Sequence, residues 1–444
     1  MKKRKLLLVN PVNPLQNGLT VNKSSRFPPI GLGIIAALTP RSWDVHLVDE
    51  NWEHFSFIKA DLVGITAFTA SANRAYEIAS IYRDENIPVV MGGIHASLCP
   101  GEVSEFVDSI VIGEAEDVWP KLIQDFERDQ LQSYYKGSWI DLKNMVPVRR
   151  DIFHAGYQFA SVQTSRGCPL DCEFCSVTAF NGKQYRRRPI NDVLDELKSI
   201  PQRMIFFVDD NIVGYGKNSS EQAVELFKGM VDLKLNKMWF CQASINFADD
   251  EELLYWAGKA GCKMVFIGIE SEEIDTLKEV NKKLNLIRGV KSYDQIFQKI
   301  QKAGIAVLGA FIFGMDNDDH AKLTNRAKYS IKSRVDVIQT TILTPLPGTH
   351  LITKLEKNNR MLYHNFPKDW DHFDMTQVVF HPAKMTADKL DDQMRIIDAK
   401  IHSWLTIIRK ALGTFLRTKD FSSTMFALSS NINYRNVSRS IGHY

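Results

Sequence analysis

Short β-rich hydrophobic runs alternate with amphipathic segments over the N-terminal part of the chain. This alternation is typical of a doubly wound α/β domain built on a parallel sheet. Each run ends in turn-forming residues, and ligands of such a sheet bind outside the carboxyl ends of its strands. The predicted strands are Lys5–Val9, Asp44–Val48, Leu62–Thr66, Val89–Met91 and Ser109–Ile112, and the predicted helices are Gly31–Leu38, Ser71–Asp84 and Ala115–Phe126.

A second alternating series begins at Phe159 and contains six strand-like runs. Six strands with helices between them predict a partial, TIM-like (β/α)6 barrel, whose active site lies at the carboxyl ends of the strands. The predicted strands are Phe159–Gln163, Met204–Val208, Met238–Gln242, Met264–Ile269, Ala306–Phe313 and Val337–Leu343, and the predicted helices are Asn191–Ser199, Ser219–Leu233, Asp249–Ala260, Tyr293–Ala303 and Asp318–Lys332.

The two series divide the chain into four parts. We predict a Rossmann-like domain at 1–135, a linker at 136–158, the barrel at 159–365 and a mostly helical C-terminal region at 366–444. A length of 444 residues exceeds one ordinary core and favours at least two domains.

Composition is that of a soluble globular protein, with 44% hydrophobic residues, 24% charged residues and a net charge of +3. The small net charge gives no reason to expect a nucleic-acid partner. The apolar run behind the basic N-terminus spans only Leu6–Val9, which predicts a strand rather than a signal peptide. No apolar stretch approaches the roughly 20 residues that cross a bilayer, so we expect a cytoplasmic location.

Apolar and basic residues are combined in Ile401–Lys419, and two interpretations stay open. One is a terminal helix that packs on the barrel. The other is a basic amphipathic helix that makes a peripheral contact with an anionic membrane.

Three of the six cysteines, Cys168, Cys172 and Cys175, lie within eight positions directly after the first predicted barrel strand. This crowding argues against a disulfide framework and for metal or redox chemistry. Thiolates are the usual ligands of iron-sulfur clusters, and three of them leave one iron of a four-iron cluster open to a small molecule. Zinc is the alternative, but a structural zinc site uses four ligands and no fourth Cys or His stands nearby at zinc-ribbon spacing. We therefore predict that these cysteines bind a 4Fe-4S cluster.

The segment Arg166–Cys175 resembles the radical-SAM superfamily, whose C-x-x-x-C-x-x-C loop follows the first barrel strand. The resemblance implies that the open iron binds S-adenosylmethionine (SAM) through its amino and carboxylate groups. It implies that the reduced cluster cleaves SAM to a 5′-deoxyadenosyl radical, with electrons from a donor such as flavodoxin or ferredoxin. Phe174 matches the aromatic residue that lies against the adenine, although packing into the barrel mouth would equally explain a loop aromatic.

Further matches to the superfamily lie at the ends of predicted barrel strands. Gly268-Ile269-Glu270-Ser271 resembles the motif that places a Glu near the SAM ribose, and Ile312-Phe313-Gly314 resembles the one that brings backbone close to the adenine. Taken singly, each could be ordinary turn chemistry. The SAM contacts that the resemblance implies are Phe174, Asp209, Asp210, Asn211, Ser244, Glu270, Ser271 and Gly314.

The segment Gln242–Asn246 departs from relatives that carry an Arg in this region. If that Arg binds the SAM carboxylate in those relatives, this chain must use Ser244 or another donor.

The N-terminal domain resembles the cobalamin-binding domain that precedes the barrel in one radical-SAM class. The matching segments are Phe27–Gly33, Asp61–Thr66, Val90–Ala96 and Val111–Glu116. The strand-end residues that this resemblance implies for cobalamin binding are Thr66, Gly92, Gly93, His95, Gly113 and Glu114.

The Asp-x-His-x-x-Gly loop of other cobalamin domains is missing, because the loop after the first strand reads Asn10–Gly18. Either cobalamin binds without a protein imidazole, which we expect, or the domain has lost its corrinoid. His95 is the nearest candidate at a strand end, but a lone loop His is more often a plain hydrogen-bonding residue than a ligand.

Within this class the chain most resembles enzymes that act on hopanoids and tetrapyrroles, which implies a small-molecule or lipid-like apolar substrate. We predict that the adenosyl radical removes hydrogen from an unactivated carbon and that the substrate radical takes a methyl group from methylcobalamin. Two alternatives stay open: a non-methylating cyclisation, oxidation or carbon-carbon coupling enzyme, and a non-catalytic SAM or corrinoid sensor. A methylthiotransferase needs three more cysteines in the N-terminal domain, where only Cys99 stands.

Overall fold

The structure is a computed structural model that describes residues 3–13, 26–440 and 442. It contains two six-stranded parallel sheets, one antiparallel hairpin and a helical C-terminal region. The predicted α/β fold class is therefore confirmed. Part of the Asn10–Gly18 loop, in which the cobalt-binding histidine motif is missing, lies outside the described residues.

The first sheet belongs to the N-terminal domain and has the strand order β2-β1-β3-β4-β5-β6, with every neighbouring pair parallel. Its central strands are buried on both faces, which is why they read as continuous apolar runs such as Leu6-Leu7-Leu8-Val9. The order reverses between β1 and β3, and ligands of doubly wound sheets bind at such a reversal. The strands are β1 (Arg4–Asn10), β2 (Trp43–Asp49), β3 (Leu62–Thr66), β4 (Val89–Gly92), β5 (Ser109–Ile112) and β6 (Tyr134–Lys136).

Five of these strands were predicted, and β6 was not. β6 has three residues, of which Tyr135 alone is buried, so it has no periodic pattern to detect. The predicted helix Ala115–Phe126 begins later, at Trp119, where Pro120 suits the first turn because it lacks an N–H. The helices of this domain are α1 (Ile30–Leu38), α2 (Ala72–Asp84), α3 (Ile94–Leu98), α4 (Pro100–Val103) and α5 (Trp119–Glu127).

The second sheet forms the open barrel, and all six of its predicted strands are present. They are parallel, in the order β14-β13-β12-β11-β10-β7. The strands are β7 (Phe159–Val162), β10 (Met204–Phe207), β11 (Met238–Ala243), β12 (Cys262–Glu270), β13 (Ala306–Phe313) and β14 (Val337–Ile342), and the separate hairpin joins β8 (Ser165–Arg166) to β9 (Arg186–Arg187).

Helices cover the outer face of the barrel sheet. Alternate strand residues such as Phe207 and Trp239 pack against helical residues such as Phe227 in one large core. The barrel helices are α6 (Val177–Asn181), α7 (Ile190–Ser199), α8 (Lys217–Asp232), α9 (Glu251–Lys259), α10 (Ile274–Glu279), α11 (Lys283–Arg288), α12 (Tyr293–Lys302), α13 (His320–Lys332) and α14 (His350–Lys357).

Three further helices complete the chain: α15 (Ala387–Ile401), α16 (Trp404–Thr418) and α17 (Phe421–Ser440). Ala427 of α17 packs with Met264, Leu308 and Val337 in a cluster on the other face of the barrel sheet. The Asn431 side chain donates a 2.9 Å hydrogen bond to the carbonyl of Asp336, just before β14. Helix α17 therefore closes the amino-terminal end of the barrel.

The four-part division of the chain stays a prediction. Strand β6 crosses its first boundary, and one apolar cluster joins α2 of the N-terminal domain to residues beyond the barrel such as Trp370, Phe373 and Phe380. No helix of the described residues is long and apolar enough to cross a membrane.

Candidate active site

The cysteine loop leaves the barrel through the β8–β9 hairpin. Gly167 has φ +92°, and a Cβ at this position would collide with the carbonyl oxygen of Gln184, so the path requires glycine. The Cys168 N–H donates to Gly182 O at 3.1 Å, and the Cys175 N–H donates to Cys172 O at 3.1 Å. These hydrogen bonds make the segment a tight, internally bonded turn.

All three cysteines are free thiols. Burial raises the pKa of the Cys172 thiol, and it raises the pKa of Cys175 to about 12. Buried thiols of this kind become thiolates when cations compensate the charge, and cluster iron is such a cation. The donor set therefore fits an iron-sulfur cluster.

No group of three or more His, Cys, Asp or Glu side chains within residues 3–13, 26–440 and 442 is placed to hold one metal ion. A cubane presents a separate iron to each thiolate, so its three ligands need not converge on one point. The absence of a single-ion site among these residues is therefore compatible with a cluster.

Tyr215 lies beside the first cysteine and was missed by the sequence reasoning. Its hydroxyl is 3.3 Å from Cys168 Sγ and 3.4 Å from Ser244 Oγ. It therefore connects the cysteine loop to Ser244, a predicted SAM contact at the end of β11. The available signal was its place in the loop after β10, where barrel enzymes carry site residues.

Asp209, at the end of β10, is fully buried. Its Oδ1 accepts hydrogen bonds from Thr164 N at 3.0 Å, Thr164 Oγ1 at 2.9 Å and Ser165 Oγ at 2.5 Å. Burial raises the pKa of the Asp209 carboxyl. Asp209 thus holds the start of the segment that leads into the cysteine loop.

The next two residues have different surroundings. Asp210 accepts a 3.3 Å hydrogen bond from Asn181, and burial, followed by the charge of Asp209, raises the pKa of Asp210 to about 6. Asn211 is buried, and its side chain donates to Gly214 O and accepts from Ser244 N. The SAM contacts of Asp209, Asp210 and Asn211 stay predictions.

Glu270 forms an ion pair with Lys282 at the end of β12, with 2.5 Å between Oε1 and Nζ. Glu270 has φ +61°, which is uncommon for a residue with a side chain. A Cβ on Gly268 would lie 2.5 Å from Glu270 Oε1 and 2.9 Å from Lys282 Nζ, so glycine gives this pair its space.

Lys282 was also missed, because it stands twelve residues after Glu270, outside the Gly-Ile-Glu-Ser motif. Burial lowers the pKa of Lys282, but the charges of Glu270 and Cys172 outweigh it, so the pKa lies above its ordinary value. The ammonium in turn lowers the pKa of the Cys172 and Cys175 thiols against the larger effect of burial. The structure thus places a cation beside the cysteines of a chain that lacks the expected Arg at 242–246.

The other predicted SAM contacts in this region are mainly in turns. Ser271 is buried, and its Oγ accepts a 3.0 Å hydrogen bond from the Glu273 N–H. Gly314 has φ +92° and donates its N–H to Asp318 at 3.0 Å. Phe174 packs against the apolar cluster that includes α2 and Trp370. Their contacts with SAM stay predictions.

In the N-terminal domain, three of the predicted cobalamin residues lie at the ends of β3 and β4. Gly93 has φ +93°, and a Cβ there would lie 2.6 Å from Thr66 Oγ1. Glycine at Gly93, next to Gly92, therefore lets the two loops approach closely. Gly113, after β5, has φ +80° and donates its N–H to Ser97 Oγ at 2.9 Å.

His95 is buried behind this edge. Its Nε2 is 3.0 Å from the Tyr76 hydroxyl and 3.2 Å from Glu102 Oε1, and its Nδ1 is 3.3 Å from Thr69 Oγ1. Both ring nitrogens thus have partners inside the domain. This arrangement is that of a hydrogen-bonded core histidine, and its cofactor contact stays a prediction.

Glu114 lies at the junction of the two domains. Its carboxylate is 2.5 Å from Arg186 Nη2 and 3.1 Å from Arg166 Nη1, and Arg166 also pairs with Glu116 at 2.6 Å. The four side chains are nearly all buried. Because Arg166 and Arg186 belong to the β8–β9 hairpin, this ion network fixes the cysteine loop to the strand end after β5.

A second contact supports the same junction. Gly348, after β14, has φ +74°, and a Cβ there would lie 2.8 Å from Leu98 Cδ2 of α3 and 3.4 Å from Ala179 Cβ of α6. The strand ends of the N-terminal domain thus lie next to the cysteine loop.

Comparison with protein families agrees with this two-part arrangement. Residues 18–123 match the B12 binding domain, and residues 162–341 match the radical SAM superfamily. The chain belongs to the family of cobalamin-dependent radical-SAM methyltransferases. It is therefore an enzyme, and its family cofactors are a 4Fe-4S cluster, SAM and cobalamin. The missing histidine motif had left open whether cobalamin is a cofactor of this chain, and the prediction that it is one is thereby confirmed.

Individual relatives are similar over most of the chain. Bacteriochlorophyllide d C-12(1)-methyltransferase of Chlorobaculum tepidum is 30% identical over 429 residues, which cover 93% of this chain and 90% of that protein. The hopanoid C-2 methylase of Rhodopseudomonas palustris is 27% identical over 355 residues, which cover 76% of this chain and 66% of that protein. The cobalamin-dependent SAM radical enzyme OxsB, solved with aqua-cobalamin, shares the fold at a TM-score of 0.71 and 13% identity, over 99% of this chain and 80% of that one.

Proposed function

We propose that this enzyme methylates an unactivated carbon of an apolar small molecule. The observation that carries the proposal is the buried ion network of Glu114, Glu116, Arg166 and Arg186, which joins the cobalamin-domain strand end to the cysteine loop. Both domains direct the carboxyl ends of their strands to this junction, where ligands of such sheets bind. The named relatives act on a bacteriochlorophyllide and a hopanoid, large molecules that support an apolar or lipid-like substrate here.

When bound, the reduced cluster supplies the electron that cleaves SAM, and cobalamin supplies the methyl group. Cys168, Cys172 and Cys175 would hold the cluster. Lys282 and Glu270 carry opposite charges beside it, which suits the carboxylate and the ribose hydroxyls of SAM. Asp210 and Ser244 add acceptor atoms at neighbouring strand ends.

The test is anaerobic reconstitution with iron, sulfide and hydroxocobalamin, followed by dithionite and SAM that carries a trideuterated methyl group. We expect 5′-deoxyadenosine and, with a bacteriochlorophyllide or a hopanoid, a product that bears the labelled methyl group. Formation of 5′-deoxyadenosine by a Cys172→Ala variant would contradict the cluster assignment.

The alternatives give different results. Formation of 5′-deoxyadenosine without retained corrinoid would favour a non-methylating cyclisation, oxidation or carbon-carbon coupling. A protein that binds cluster, SAM and corrinoid but forms no 5′-deoxyadenosine would favour the sensor.

We further propose a flavodoxin or ferredoxin as the reductant and a cytoplasmic location. The reductant is tested by replacing dithionite with a reduced flavodoxin, and the location by fractionation of cells that express the protein. A peripheral membrane contact would involve different residues, which lie in the C-terminal helices.

A further inference from the structure

Helix α16 has the opposite orientation to that of an ordinary surface helix. It buries polar side chains, among them Thr406, Lys410, Thr414 and Thr418. Apart from Ile407, which is buried, its large apolar side chains face outward, whereas the apolar side of a terminal helix ordinarily packs on a core. Buried polar and exposed apolar positions on one helix are the informative exceptions to the usual distribution.

The polar face is fixed by specific bonds. Lys410 Nζ donates to the carbonyl oxygens of Ser330, Ser333 and Val335 at 3.0, 2.9 and 2.8 Å. Thr414 Oγ1 and Arg417 Nη2 each donate to Asp336 Oδ1 at 2.8 Å. Rotation of α16 to bury its apolar side would leave these buried groups without partners, so the apolar side stays exposed.

Six large side chains of α16 form what we call the apolar face. At 3.6 residues per turn they lie within about a third of the helix circumference. Their exposed fractions run from 49% to 80%, and Phe421 at the start of α17 is 70% exposed. Contiguous apolar surface of this kind marks an interaction site. The six residues are Trp404, Leu405, Ile408, Leu412, Phe415 and Leu416.

The charge around the apolar face is positive. Between His402 and Ser440 the sequence has six basic residues and one acidic residue, Asp420. Of the basic residues, Lys410 and Arg417 belong to the polar face, and Arg435 is buried. Asp420 pairs with Lys263 at 2.8 Å. Arg409 and Lys419 are exposed. Exposed apolar side chains with basic neighbours are typical of helices that lie on anionic lipid.

We propose that the apolar face binds the surface of an anionic lipid bilayer. Helix α16 has 15 residues and lies in the headgroup region, with its apolar side chains in the lipid and Arg409 and Lys419 among the phosphates. Its anchor residues, Val335 and Asp336, precede β14, so the face lies toward the amino ends of the barrel strands. The cysteine loop lies at the opposite, carboxyl ends of these strands. The inference goes beyond the proposed function, because lipid binding does not require methyl transfer.

The test is flotation of the full chain with two kinds of vesicle, pure phosphatidylcholine and phosphatidylcholine mixed with phosphatidylglycerol. We expect the unmodified chain to float with the anionic vesicles and at least tenfold less with the neutral ones, and added salt to weaken the binding. Because this comparison needs no variant, it does not depend on the folding of a mutant. No flotation with anionic vesicles would overturn the proposal.

Variants then locate the binding surface. A Leu405→Ser/Leu412→Ser/Leu416→Ser variant is expected to lose flotation, and an Arg409→Glu/Lys419→Glu variant to bind at least tenfold more weakly. Leu233→Ser, which changes an exposed leucine on another side of the barrel, is the matched control and is expected to bind normally.

Thermal unfolding and 5′-deoxyadenosine formation check that the variants are folded, and both are expected to match the unmodified chain. The competing occupant of the face is a second copy of the chain. Light scattering that shows a dimer in the unmodified chain and a monomer in the triple-leucine variant, without flotation of either, would assign the face to that contact instead.

Discussion

Glu114 of the N-terminal domain and Arg166, two residues before Cys168, form a buried ion pair with 3.1 Å between Oε2 and Nη1. A contact between the domains is thus built into the segment that carries the cluster ligands. Movement of one domain relative to the other would displace the cysteine loop.

Glu114→Gln is therefore expected to destabilise the cluster-free chain. The change leaves Arg186 without its carboxylate, and removing one partner of a buried ion pair costs about 3–5 kcal/mol. Urea denaturation measures the free energy of unfolding. Glu221→Gln, in an exposed pair with Lys217, is the control and should cost at most about 1 kcal/mol. Equal effects of the two changes would contradict the role of the network.

Tyr215→Phe is expected to make the reduction potential of the cluster more negative. The lost hydroxyl lies 3.3 Å from Cys168 Sγ and would donate to a cluster-bound thiolate there, and hydrogen bonds to cluster sulfurs set the potential. A difference of about 1 kcal/mol between the two redox states corresponds to about 40 mV for one electron. A potentiometric titration followed by electron paramagnetic resonance measures the shift. Tyr255→Phe, at an exposed tyrosine, should leave the potential unchanged.

Lys282→Met is expected to weaken SAM binding about tenfold, which is about 1.4 kcal/mol. The change removes the cation beside Cys172 and leaves the Glu270 carboxylate, 2.5 Å from Nζ, without its partner. Calorimetric titration of the reconstituted protein with SAM measures the dissociation constant. Lys283→Met alters the neighbouring, exposed lysine and should bind SAM normally. Unchanged affinity in Lys282→Met would exclude this lysine from SAM binding.

Asp210→Asn is expected to gain stability relative to the unmodified chain as pH rises from about 4 to 7. Burial raises the pKa of Asp210 from 3.8 to about 6 in the folded chain, so the folded state holds the proton more tightly than the unfolded state. The free energy of unfolding of the unmodified chain therefore falls as pH rises through this window, by about 2–3 kcal/mol in total. The amide does not titrate and removes this loss.

Urea denaturation of both chains at several pH values measures the difference. Asp232→Asn, at an exposed carboxyl, is the control. A difference between Asp210→Asn and the unmodified chain that does not change with pH would contradict the raised pKa.

The sequence predicted eleven of the fourteen strands that the described part of the chain contains, because long apolar runs in a parallel sheet are buried on both faces and are easily recognised. Strands β6, β8 and β9 have three, two and two residues, too few for any period. The cysteine triad was recognisable because its ligands are close in sequence. Tyr215, Lys282 and Arg186 were not, since their roles depend on contacts with residues that are distant along the chain.

The sequence shows the apolar and basic pattern of α16, but it does not show which side of the helix is buried. The pattern is equally compatible with a helix that buries its apolar side. What decides the orientation is the set of carbonyl groups at Ser330, Ser333 and Val335, which accept hydrogen bonds from Lys410. Every residue has a backbone carbonyl, so the residue types do not show which of these groups accept hydrogen bonds from Lys410.

Helix α17 fills the amino-terminal end of the barrel with residues made long after the strands they cover. Ser430 and Met264, which meet there, are 166 residues apart in sequence. During synthesis, the amino-terminal end of the barrel therefore remains uncovered until this helix has emerged from the ribosome. A nascent barrel without α17 presents Met264, Leu308 and Val337 to water and to other chains, which makes it a target for chaperones and a source of aggregation.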